Sequence, residues 1–286
     1  MMMQIRKCMT LFFAVFIVLL SQPVVSSAEE LPYYLQDRGK GVTTSLFGTY
    51  IQKGQLLVYP FYEYVKVSNE EYHGSELGFT GKKDYMGSLV EHEYLLFLAY
   101  GFTENLAIEL EGAFYTEKTL EKADNDTTSG IPNQIKESGL GDIEAQVRWR
   151  LLKEKEGRPE LYCNFEVAFP FQKDKVLIGV QDWEYSVGIG VVKGFTWGTL
   201  TPRISFGYEA AEDEIKFGEY AAEYLKRLND SWRWVTTLEG EDDELSMILE
   251  AQLHINSNAF WKFNSGFGLS EKAPDFAPEI GIMFVF

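Results

Sequence analysis

Apolar and polar residues alternate one for one through much of this chain, a rhythm that no helix can use. Within 142–151, Ile143, Ala145, Val147, Trp149 and Leu151 alternate with Asp142, Glu144, Gln146, Arg148 and Arg150. A period of 3.6 would scatter both sets around a helix, whereas a strand sends successive side chains to opposite faces and separates them fully. The pattern returns at 106–111, where Leu106, Ile108 and Leu110 share a face. It returns at 200–208, where Leu200, Pro202, Ile204, Phe206 and Tyr208 oppose Thr201, Arg203, Ser205 and Gly207. Residues 245–253 repeat it, and so does the closing stretch, in which Ile280, Ile282, Phe284 and Phe286 line one face. The chain is therefore expected to be all-β.

Alternation alone does not say which face meets water. A soluble sandwich turns its polar face outward, while a membrane barrel turns its apolar face to lipid and its polar face to the lumen. The two ends of the chain favour the second arrangement. Arg6 and Lys7 precede an uncharged apolar run, Leu11 to Leu20, and then the small residues Ser26, Ser27 and Ala28. This reads as an export signal over residues 1–28, cleaved before Glu29; the run is short for a membrane span. Cys8 lies before the run, so it is not placed for lipoprotein processing. At the other end, a terminal aromatic such as Phe286 is part of the signal that the barrel-assembly machinery of Gram-negative outer membranes reads. The alternating runs also match the roughly 9–11 residues of a tilted spanning strand.

A transmembrane antiparallel up-and-down β-barrel of about 12 strands follows, the even number expected of bacterial single-chain barrels. The expected strands are 55–66, 89–102, 106–116, 139–152, 159–171, 182–195, 199–210, 214–226, 231–240, 243–255, 259–270 and 276–286. Short turn-forming connectors (103–105, 196–198, 229–230, 256–258) follow even-numbered strands, and the long ones (67–88, 117–138) follow odd-numbered strands. Periplasmic turns and outer loops are expected in those places. The barrel thus spans 55–286, behind a periplasmic or plug-like segment at 29–54. Its last strand must pair with its first, because hydrocarbon satisfies no backbone hydrogen bond. Pro60, inside the first strand, brings no N–H and is expected to loosen that seam; Pro202 and Pro278 raise the same issue elsewhere.

Composition narrows the partners. The formal charge of −17 disfavours nucleic acid, which needs clustered Lys and Arg. Aromatic residues make up 15% of the chain, which suits interfacial anchoring. Only Cys163 lies beyond the signal, so no intrachain disulfide can form.

Several blocks resemble a known family. Thr44-Ser45-Leu46-Phe47-Gly48-Thr49-Tyr50, Gly54 through Tyr64, Gly139-Leu140-Gly141-Asp142-Ile143, Asn264 through Leu269 and Ala277 through Gly281 are similar to the transporter-like outer-membrane barrels named for the meta-cleavage pathway of phenol degradation. The resemblance spans most of the chain beyond the signal. It implies the barrel and a link to aromatic catabolism, and it supplies neither catalytic residues nor a solute.

The alternation assigns Glu63, Glu109, Glu111, Asp142, Glu144, Arg148, Arg150, Glu166, Glu184, Arg203, Arg233, Glu250 and Glu279 to the lumen. These charges either line a water-filled pore or pair across it and plug it. Tyr59, Phe61, Tyr115 and Tyr162 are expected to narrow the interior. Tyr94, Tyr100, Phe102, Phe114, Trp149, Phe165, Phe169, Tyr185, Trp232, Trp234 and Phe260 are expected to face lipid.

Chemical sites read more weakly. His73, His92 and His254 lack ligand spacing, and His92 points away from Glu91 and Glu93. Asp124 and Asp126 lack the calcium-loop pattern. His254 with Ser257 is the nearest approach to a lipase pair. No cofactor, no metal and no enzymatic activity are expected. The sequence reads as a monomeric outer-membrane channel for passive uptake of small solutes, aromatic or hydrophobic ones included. Its expected partners are outer-membrane lipid, the assembly machinery and the solute. A closed structural or adhesive barrel is the alternative, with an outer-membrane lipase behind it.

Overall fold

Strands with one greasy face and one charged face can satisfy every backbone group in a membrane only by closing on themselves. They do so here. The computed structural model describes residues 31–128, 130–210 and 214–286; the expected signal segment and the expected cleavage before Glu29 lie outside the described residues. Twelve antiparallel strands form the barrel. They are β1 (Leu56–His73), β2 (Asp84–Gly101), β3 (Leu106–Glu121), β4 in two pieces (Gln134–Gly139 and Ile143–Leu152), β5 (Glu160–Ala168) and β6 (Glu184–Phe195). Then come β7 (Gly198–Glu209), β8 (Glu214–Arg227), β9 (Trp232–Glu241), β10 (Glu244–Asn256), β11 (Ala259–Gly268) and β12 (Ala277–Val285). Each strand pairs with its sequence neighbour, and β12 returns to β1.

The alternation resolves as expected. On β4, Val147, Trp149 and Leu151 are 39%, 56% and 42% exposed, while Gln146, Arg148 and Arg150 are 6%, 4% and 4% exposed. The apolar set is on the outside and the charged set is buried within, the inverse of a soluble protein. No helix among the described residues is long and apolar enough to cross a membrane.

The seam is interrupted at the proline. Val285 pairs with Leu57 and Phe284 with Val58, and pairing resumes at Gly281 with Phe61. Tyr59, Pro60, Ile282 and Met283 drop out of that ladder, yet Pro60 keeps its register with Leu96 on β2. Pro202 likewise interrupts the β6 side alone, where pairing jumps from Leu200 to Arg203. Reciprocal bonds close the seam at the turn end (Leu56 N to Phe286 O, 3.0 Å; Phe286 N to Leu56 O, 2.9 Å), and Lys66 N donates to Phe276 O at the loop end.

Two expectations need correcting. Residues 67–88 and 117–138 are not simply loops: β1 and β2 run on to His73 and back from Asp84, and β3 and β4 to Glu121 and from Gln134. An apolar cluster supports this taller wall. Val67, Tyr72, Leu77, Tyr85, Leu89, Leu120 and Ala123 are buried together, with Phe79, Val176 and Leu177 from loops packed on them. The polar residues between them hide the pattern in sequence. Tyr115, expected inside, faces out. The β2–β3 register pairs Tyr94 with Tyr115 and Leu95 with Ala113, so Phe114 is an extra residue in a bulge. The bulge leaves Phe114 and Tyr115 both outward, 60% and 40% exposed, and restarts the inner face at Thr116, 1% exposed.

At the seam, Gly281 lies under the stacked rings of Tyr59 and Phe61, whose centroids are 4.7 Å apart. A Cβ at Gly281 would sit 2.5 Å from Tyr59 Cε2. Gly281→Val is therefore expected to cost about 1–3 kcal/mol by overpacking beside a ladder that Pro60 already interrupts. A lowered urea midpoint for loss of heat-modifiable gel mobility checks it; an unchanged midpoint contradicts it.

Candidate functional site: an acidic lumen closed by an N-terminal hairpin

Residues 37–51 pack against the inner wall of the barrel at the end where the short turns and Phe286 sit. A 3-10 turn, Tyr33–Leu35, leads into two short paired strands, Val42–Thr43 and Tyr50–Ile51, and the residues between them make a tip. On one side the hairpin packs by apolar contact: Val42 and Ile51 are buried with Leu57, Tyr59, Phe97, Ala99 and Met283. On the other side it is held by charge. Ser45 donates to Glu109 Oε2 from its N–H at 3.0 Å and from its hydroxyl at 2.6 Å. Gly48 N donates to Glu223 Oε2 at 2.9 Å. Gln252 and Lys262 donate to Phe47 O at 3.3 and 3.4 Å. Gly48 has φ +60, and a Cβ there would meet Val235 Cγ2 at 2.6 Å, so the tip requires glycine on two counts.

Nearer the turn end, Arg38 pairs with Glu154 at 2.6 Å and Glu160 at 3.5 Å, all three side chains 1% exposed. Arg150 joins Glu160 at 3.3 Å and donates to the carbonyls of Gly41 and Glu104. Lys193 reaches Glu154 at 2.8 Å, and Asp37 meets Lys226 at 3.3 Å.

This divides the charged residues read from the sequence. Glu109, Arg148, Arg150 and Glu250 belong to the hairpin's seat: Arg148 lies 3.5 Å from Glu109, and Glu250 lies 3.1 Å from Lys262. Glu63, Glu111, Arg203 and Glu279 line a cavity of about 510 Å³ above the tip, floored by Leu46 and Phe47. Glu144, Glu166 and Glu184 line an adjoining cavity of about 220 Å³. Asp142 sits in the break of β4, where its carbonyl accepts from Ala113 N at 2.9 Å. Arg233 lies on the inner face at the turn end, in register with Gln252. Glu219, Glu239, Glu241, Glu244 and Lys262 also face inward, outside the lumen set expected from the sequence, although most lie on expected strands with inward parity.

The wall of the main cavity carries carboxylates directly opposite one another. Glu63 is in register with Glu279 on one side and Glu93 on the other. Glu111 faces Glu144, and Glu241 faces Glu244. Like charges in that relation destabilise a sheet, so folding alone does not account for them. A third cavity of about 600 Å³, sharing Glu241 and Glu244 with the first, opens at the loop end. There Lys272 bridges Glu71 at 2.5 Å and Asp243 at 2.7 Å. Hydrogen bonds to Asp243 and Glu71 raise the Lys272 ammonium above its ordinary range, and the Lys272 bond holds Asp243 below the usual carboxylate range. The latch therefore stays charged through neutral pH. It is lost on acidification through the lowered Asp243 range or on alkalinisation through the raised Lys272 range.

Phe260, expected to face lipid, points inward. It is 7% exposed, belongs to the hairpin's apolar bed and stacks on His254 at 4.5 Å. At the turn end the hairpin supplies an apolar interior, so the usual parity of greasy side chains fails there. Ser257 gives its hydroxyl to Asn258 Oδ1 at 2.6 Å, not to His254, so no nucleophile–base pair forms at that turn. Asp126 caps its own loop, accepting from Tyr72 at 2.8 Å and Thr128 N at 2.7 Å.

No family model and no curated protein sequence matches the chain. Among solved structures it is similar to an outer membrane channel from Pseudomonas putida F1, with 14% identity over 82% of this chain and 97% of that one and a TM-score of 0.56. It is more distantly similar to the translocator domain of the autotransporter NalP from Neisseria meningitidis (11% identity, 82% and 90% covered, TM-score 0.47). The toluene transporter TbuX from Ralstonia pickettii is further still (8%, 82% and 89%, 0.43). At such identity the first likeness shows the barrel fold and nothing of its chemistry.

Arg38→Met leaves Glu154 and Glu160 buried without that partner, and the expected loss is about 3–5 kcal/mol. Lys272→Met removes a half-buried base from between two exposed acids and should leave the unfolding midpoint unchanged. Urea titrations of both variants in micelles, followed by tryptophan fluorescence, check the contrast; equal effects contradict it.

Proposed function

We propose that this chain is an outer-membrane channel of a Gram-negative bacterium, acting as a monomer, that admits small solutes passively from the loop end. In this reading the loops face the exterior and the termini face the periplasm. The export signal is removed before Glu29, and Phe286 is offered to the assembly machinery. The observation that carries the reading is the carboxylate-lined series of cavities running from the loop end to the hairpin tip. A barrel whose interior served only to hold its wall together would pair those charges. The outer membrane channel of similar fold and the resemblance to the meta-pathway barrels support the same reading, with aromatic compounds among the solutes.

The hairpin is the gate of this channel. Its seat on the β3, β4, β8 and β10 side is polar, and polar contacts exchange with water more readily than an apolar plug does. The closed structural barrel is favoured by the same hairpin if it never leaves.

Two cysteines test this. In a Cys163→Ser background, Ser45→Cys with Glu109→Cys replaces the tip's hydrogen bonds with a disulfide that forms in the seated position. In planar bilayers the oxidised protein should pass almost no current. Reduction should restore single-channel steps that favour cations over anions, and deletion of 31–54 should enlarge them. A barrel silent in the reduced form and silent after deletion is closed, and the channel reading fails.

A further inference from the structure

The cavity above the hairpin tip has two unlike surfaces. Its floor is apolar, made by Leu46 and Phe47 with Phe61 beside them. Its wall is carboxylate. Glu63 and Glu111 are half-buried on the inner face, line this cavity and have no hydrogen-bond or ion-pair partner among the described residues. Their registers place further carboxylates against them, which repulsion makes unfavourable. A lumen that needed only wetting would be served by neutral amides.

The same cavity shows what such carboxylates hold. The Arg203 guanidinium lies 5.2 Å from the Phe47 ring centroid and binds Glu219 at 2.5 Å. A planar organic cation, an aromatic face and a carboxylate thus already meet there, in the geometry of cation–π recognition. The Glu63 and Glu111 side repeats the carboxylate and aromatic parts, and no basic side chain of the barrel pairs with either acid. Among the described residues, no three His, Cys, Asp or Glu side chains converge to hold a metal ion. The apolar floor beside the two acids suits an occupant that brings its own apolar body along with its charge. About 510 Å³ falls within the range of small-molecule sites, roughly 300–1,000 Å³.

We propose that this cavity binds a small organic cation with an apolar body, an aryl- or alkyl-ammonium or amidinium. Its charged head sits against Glu63 and Glu111, and its body rests on Leu46, Phe47 and Phe61. The proposal deepens the channel reading and rests on it for the route of entry from the loop end.

Calorimetric titration of the refolded mature barrel in detergent tests it, with phenethylammonium as the probe and 2-phenylethanol and phenylacetate as controls of the same body. Phenethylammonium should bind saturably, and each control at least about tenfold more weakly, the size of a charge-assisted contact. Glu63→Gln with Glu111→Gln should weaken phenethylammonium by about tenfold while leaving 2-phenylethanol unchanged. Phe47→Ala should weaken both. Equal binding of ammonium and alcohol, or magnesium binding more tightly than phenethylammonium, overturns the proposal. The ligand series on the unaltered protein decides the matter even if the double variant fails to fold. Binding without conductance sinks the channel reading alone; conductance without binding sinks this proposal alone.

Discussion

The peptide group has no partner in hydrocarbon other than another peptide group. That constraint closes the barrel, sets β12 against β1 and decides where imperfections are tolerated. Pro60 and Pro202 each remove a donor, and each interrupts only one of its two ladders. At the seam the interruption is bracketed by bonds between Leu56 and Phe286 at one end and between Lys66 and Phe276 at the other. Gly281 lets the Tyr59 ring lie flat across the remaining gap.

Closure has a second effect. Once lipid claims the outer face, the lumen is the one place where charge can go, and this chain uses it in two ways. Toward the turn end, acids and bases are matched and hold the hairpin: Arg38 with Glu154 and Glu160, Arg148 with Glu109, Lys262 with Glu250. Above the tip, acids outnumber bases and face each other across neighbouring strands. The boundary between matched and unmatched charge is the tip itself, Ser45 to Gly48. One segment thus forms both the lower stopper and the cavity floor.

The strands were legible because alternation is a local property. Val147 and Arg148 need no knowledge of the rest of the chain to be assigned outward and inward. Features that depend on distant partners were not legible. The extra height of β1 to β4 rests on Tyr72, Leu77 and Leu120 meeting loop residues Val176 and Leu177. The bulge at Phe114 shifts parity by one residue with no mark in composition. Phe260 faces inward only because the hairpin is there to receive it. Nor can spacing tell Glu109, which accepts two hydrogen bonds from Ser45, from Glu111, two residues on and unpartnered. The inward set was readable; its division into seat and cavity belongs to the tertiary structure.

The hairpin precedes every barrel strand in the chain, yet its seat is assembled from residues that come much later. Ser45 reaches Glu109 across 64 positions, Arg38 reaches Glu154 across 116, Gly48 reaches Glu223 across 175 and Phe47 reaches Lys262 across 215. Contacts of such separation form late, after the intervening chain has been ordered. Docking of this segment therefore awaits the strands that build its seat. A barrel still missing its final strands has nowhere to put this segment, so the beginning of the polypeptide records whether its end has arrived.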